Sequence, residues 1–90
     1  MKTEDDRLRI LIVEDEPLIR FIFTRVFSEI AETKTAESAE QALEEIGTQH
    51  YDLCFLDYNL PGMNGLDALK IIKEKSKKTK VVIMSGRYFD

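Results

Sequence analysis

Asp57 closes an apolar run, Leu53-Cys54-Phe55-Leu56, and the acidic pair Glu14-Asp15 closes another, Ile10-Leu11-Ile12-Val13. Unbroken apolar runs of this length read as buried strands, so three carboxylates are expected to meet where two strands end. Two unit charges about 4 Å apart at an effective dielectric near 20 repel by roughly 4 kcal/mol, so such a cluster requires a cation or a shared proton. Carboxylate and carbonyl oxygens suit magnesium. The implied chemistry is that of a metal-assisted, phosphate-handling carboxylate.

The elements that must position these groups alternate in type along the chain. Periodicity predicts a strand over 10–13, a helix over 17–30 and a weak strand over 33–36. A helix over 38–46, a strand over 53–56, a helix over 66–73 and a strand over 81–84 complete the series. Apolar runs without polar alternation indicate strands covered on both faces, hence an α/β fold with a parallel sheet between helices. The weaker Thr33-Lys34-Thr35 suits a sheet edge. Pro17 suits a first helical turn, Ser38 with Gln41 a capping box, Gly47 a helix end, and Asn64 with Asp67 another cap.

Helix faces follow from the same spacing. Ala39, Ala42, Leu43 and Ile46 form one apolar stripe, with Glu40, Glu44 and Glu45 facing water. In the first helix Ile19, Ile22, Phe23, Val26 and Ile30 are expected to make the core stripe. Leu18 and Phe21 then fall on another side, near the acidic pair, as exposed apolar residues.

At 90 residues the chain is one domain at most, and 43% hydrophobic with 33% charged residues argues against disorder. A net charge of −4 argues against a general affinity for nucleic acid. The basic residues of 73–80 sit at a helix end, where they complement its dipole. No apolar stretch approaches the ~20 residues of a membrane span, and the first six residues lack the features of a signal peptide, so a cytoplasmic location is expected. The single cysteine, Cys54, reads as a buried thiol, and His50 as a surface turn residue.

Three ordered motifs now carry a resemblance: ILIVEDEP with its acidic pair, CFLDYNLPGMNGLDAL around Asp57, and VVIMSG with Ser85 after the last apolar run. Together they resemble the receiver domain of two-component response regulators, over residues 8–85. The resemblance implies a flavodoxin-like, doubly wound parallel sheet, here of four strands and three helices in the order 2-1-3-4, with its site at the carboxyl ends of the strands. It implies that Asp57 is the phosphoacceptor, taking a phosphoryl group from a phosphohistidine in self-catalysed fashion rather than as an enzyme. Asp15 directly, Glu14 through water, Asp57 and the backbone carbonyl of Asn59 would hold Mg2+. The Ser85 hydroxyl would contact a phosphoryl oxygen, and Leu60-Pro61-Gly62-Met63-Asn64-Gly65 would form a rigid turn beside the acceptor. The implied partners are a sensor histidine kinase or a histidine phosphotransfer protein, with Leu18 and Phe21 as candidate contacts.

Only Gly86-Arg87-Tyr88-Phe89-Asp90 follow Ser85, so residues 1–90 are expected to form a single, incomplete receiver without the family's last units. The lysine that follows the family's fifth strand has no counterpart, and Arg87 is the nearby cation. An edge at 81–84 beside Tyr88 and Phe89 is expected to favour a homodimer or a segment-exchanged assembly. The alternative function is a phosphorylation-independent interaction or dimerisation module. An aspartyl phosphatase of the haloacid dehalogenase type would need a second aspartate where Asn59 stands.

Overall fold

The structure, a computed structural model, describes residues 7–85. Strands β1 (Leu8–Val13), β2 (Ala31–Ala36), β3 (Leu53–Asp57) and β4 (Lys80–Met84) alternate with helices α1 (Pro17–Phe27), α2 (Ala39–Thr48) and α3 (Gly65–Lys75). The strands form one parallel sheet in the order β2-β1-β3-β4, the order expected. Register places Val13 beside Leu56, so the ends of β1 and β3 are level.

Pleating splits β1 between two cores. Leu11 and Val13 point to one face, where α2 and α3 cover them with Ala39, Ala42, Ile46, Ala68 and Ile72. Ile10 and Ile12 point to the other, beneath Phe23 and Phe27 of α1. Each of these four β1 residues is at most 1% exposed, and burying such a side chain stabilises by roughly 1.5–3 kcal/mol. Helices therefore lie on both faces of the sheet at β1, as its unbroken apolar run requires, whereas no residue of β4 is fully buried and Val82 is 41% exposed, so the expected two-sided cover is not complete there. Cys54 is fully buried, and burial pushes its thiol up to about 12, which leaves it a packing residue.

Two of the expected caps form. The Gln41 N–H donates to the Ser38 hydroxyl at 3.2 Å, and the Gln41 carboxamide accepts from the Glu37 N–H at 2.8 Å. The Asp67 N–H donates to Asn64 Oδ1 at 2.9 Å at the start of α3. Gly47, expected to end α2, instead lies within it; the helix closes two residues on, where the Gln49 N–H bonds the Glu45 carbonyl.

The expected core stripe of α1 is corrected. The helix ends at Phe27, and Ser28 to Ile30 form a turn closed by the Ile30 N–H on the Phe27 carbonyl. Ile22, Val26 and Ile30 are 46%, 63% and 61% exposed. The helix packs over β1 and β2, and Phe23 and Phe27 reach across to β3, stacking on Phe55 with ring centroids 5.5 and 5.2 Å away. Those two rings fill the interface that five aliphatic and aromatic residues were expected to share.

Candidate functional site

In a sheet of this order the chain leaves β1 toward β2 on one side, while β3 and β4 lie on the other, so a crevice opens at the β1/β3 carboxyl ends. Glu14 and Asp15 follow β1, and Asp57 is the last residue of β3. Carboxylate oxygens of Glu14, Asp15 and Asp57 all lie within 4.8 Å of one another. They line an open cleft of about 350 Å³, which Glu16 and Asn59 also border, and whose apolar wall is Leu18 and Ile19.

Local hydrogen bonds aim these groups. The Glu14 N–H donates to the Ala36 carbonyl at 3.0 Å, which continues the β1–β2 ladder one step past the strand. Glu14 Oε2 accepts from the Glu16 N–H at 3.0 Å, and Asp57 Oδ1 accepts from the Asn59 N–H at 3.1 Å. The Tyr58 N–H bonds the Met84 carbonyl at 2.7 Å, tying the segment after Asp57 to the end of β4.

Glu14 and Asp57 are each only 5% exposed, whereas Asp15 is exposed. Burial raises the Glu14 carboxyl from 4.5 to about 7, and the neighbouring Asp15 and Asp57 push it the same way. The bond from the Glu16 N–H opposes this and does not overcome it.

Residues 10–88 match the family model of the response regulator receiver domain. The chain belongs to this family.

The receiver is 33% identical over 81 residues to the two-component response regulator PhoP of Pseudomonas aeruginosa, covering 89% of this chain and 36% of PhoP. It thus spans about a third of that relative's length. A CheY-like response regulator receiver domain protein from Methanospirillum hungatei superposes with a TM-score of 0.87 at 26% identity, over 92% of this chain and 67% of that one. TrrA, a response regulator protein of Thermotoga maritima solved in complex with Mg(2+)-BeF, superposes with a TM-score of 0.81 at 37% identity, over 89% and 70% of the two chains.

Of the residues singled out from sequence, Glu14, Asp15, Asp57 and Asn59 come together in the receiver's cleft. Ser85 follows β4 and is exposed, with its hydroxyl 3.5 Å from Asn59 Nδ2. Leu18, 64% exposed, forms part of the cleft wall, whereas Phe21, 59% exposed, stands off it beneath the Arg25 guanidinium at 5.8 Å. Arg87, Tyr88 and Phe89 lie outside the described residues.

Sequence reasoning passed over Arg20 beside the site. Arg20 Nη1 donates to the Glu14 carbonyl at 2.8 Å. Its partner is a main-chain carbonyl, which leaves no signature in the sequence. The close backbone approach expected of the glycines in this turn is made by Gly65: a Cβ there would stand 3.2 Å from the Asp57 carbonyl oxygen.

Proposed function

We propose that this receiver accepts a phosphoryl group on Asp57 from a phosphohistidine of a sensor histidine kinase or histidine phosphotransfer protein. The observation that carries this is the convergence of three carboxylates in an open cleft at the β1/β3 ends. An Asp57 carboxylate oxygen attacks phosphorus in line with the P–N bond. That bond breaks, its electron pair returns to the imidazole nitrogen, and the imidazole leaves neutral with the proton on its other nitrogen. The product is an acyl phosphate on Asp57. The Asn59 N–H on Oδ1 orients the carboxylate for this attack.

The donor set fits magnesium: hard carboxylate oxygens, two of the three residues buried, and a Glu14 carboxyl pushed up by burial and by its two acidic neighbours. Asp15, Asp57, the Asn59 backbone carbonyl and, through water, Glu14 would hold it. Bound there, Mg2+ supplies the charge that offsets carboxylate repulsion and phosphoryl negative charge. Ser85, whose hydroxyl lies 3.5 Å from Asn59 Nδ2, would contact a phosphoryl oxygen and relay its presence to the loop after β4. Leu18 and Phe21 supply apolar contact for the phosphohistidine partner.

Intact mass after incubation with acetyl phosphate tests the reading. Gain of one phosphoryl group with Mg2+, absent without it and absent in Asp57→Ala, is expected. A folded protein that gains none in any condition would remove the phosphoacceptor role.

A further inference from the structure

Arg20 sits on α1 with its side chain only 17% exposed. Its guanidinium spans two segments. Nη1 donates to the Glu14 carbonyl at 2.8 Å, and Nη2 stands 3.8 Å from Glu37 Oε1, between β2 and α2. The Glu14 residue is held on its other side by its N–H on the Ala36 carbonyl at 3.0 Å. The carbonyl gripped by Arg20 belongs to the peptide plane that joins Glu14 to Asp15. Rotation of this plane would swing the Asp15 side chain away from Asp57. Asp15 is exposed and gains little from packing, so the plane ahead of it governs its direction.

We propose that Arg20 is a positioning residue for the cation site: its grip on the Glu14–Asp15 peptide sets both carboxylates against Asp57. The inference rests on the magnesium-dependent function proposed above. The planar fork reaches a carbonyl and a carboxylate at once, which a lysine point charge does not. Groups that orient a metal's direct ligands without touching the metal are worth about 10–100-fold in metal affinity. Arg20 belongs in that class by geometry.

Mn2+ binding by electron paramagnetic resonance tests this on wild type, Arg20→Met and Arg20→Lys, each scored on its folded fraction from circular dichroism. Arg20→Met is expected to weaken Mn2+ by about tenfold, and Arg20→Lys by about threefold. The Mg2+ concentration for half-maximal phosphorylation should rise by the same factors, with the rate at saturating Mg2+ kept within about twofold. Unchanged Mn2+ affinity in folded Arg20→Met overturns the role, as does a rate loss that persists at saturating Mg2+. Should Arg20→Met fail to fold, unchanged affinity in Arg20→Lys overturns it. A wild type that binds no Mn2+ removes the magnesium reading together with this one, whereas equal binding by wild type and variants removes Arg20's role alone.

Discussion

Gly65 lies directly against Tyr58: its N–H donates to the Tyr58 carbonyl at 2.9 Å, and a Cβ on it would stand 2.7 Å from the Tyr58 Cα. The first residue of α3 is thereby packed onto the backbone that follows Asp57, and its helix N-terminus sets where the acceptor loop runs. Gly65→Ala is expected to force that backbone to move, since the obstructing atom is main chain. The cost should be about 1–3 kcal/mol by thermal or denaturant unfolding, accompanied by slower phosphorylation from acetyl phosphate.

The pH dependence of stability turns on Glu14. Its carboxyl titrates near 7 when folded against 4.5 when free. Between those values the folded protein holds a proton that the unfolded chain has released, so stability falls as pH rises. This contribution is fully present below about 4.5 and lost above about 7. Without divalent cations, wild type should therefore lose a few degrees of Tm between about pH 5 and about pH 8, relative to Glu14→Gln. Magnesium binding should release protons near pH 7 in wild type, measurable by calorimetry in buffers of different ionisation enthalpy, and release fewer in the variant.

Thr79 anchors the opposite end of the sheet. Fully buried, its hydroxyl donates to the Tyr51 carbonyl at 2.6 Å and lies 2.7 Å from the Ser76 hydroxyl. Thr79→Val keeps the shape and strands both partners, at an expected cost of about 1–3 kcal/mol. Phosphorylation of the folded variant by acetyl phosphate should stay at the wild-type rate, because the change is remote from the cleft.

Substitution at Leu18 and Phe21 should separate partner docking from reaction with a small donor. The exposed apolar surface of Leu18 on the cleft wall and of Phe21 farther along α1 should contribute to binding a phosphohistidine protein and nothing to reaction with a small donor. Phe21→Ala is expected to slow transfer from a phosphorylated histidine phosphotransfer protein by about tenfold while leaving the acetyl phosphate rate unchanged. Equal slowing with both donors would count against docking through α1.

What was legible in sequence followed local rules. The runs before Glu14 and Asp57 announced buried strands because backbone pleating leaves no other use for four consecutive apolar residues covered on both faces. Ser38 and Asn64 announced helix starts because their side chains meet N–H groups three residues away. The α1 face was not legible. Ile22 and Val26 have a core helix's spacing, and only the placement of α1 over β1 and β2 decides that Phe23 and Phe27 take the contact. Thr79 and Arg20 were missed for a related reason: each bonds a main-chain carbonyl, Thr79 one 28 residues distant. Main-chain acceptors carry no sequence signature.

The central claim is that Asp57 carries the phosphoryl group. Borohydride reduction of the acetyl phosphate-treated protein, followed by peptide mass mapping, tests it at residue level, because hydride converts an aspartyl acyl phosphate to homoserine and spares free carboxylates. Homoserine at position 57, dependent on Mg2+ and on the phosphodonor, is the predicted result. Homoserine at Asp15 or another acid, or none in a protein that has gained a phosphoryl group, would contradict it.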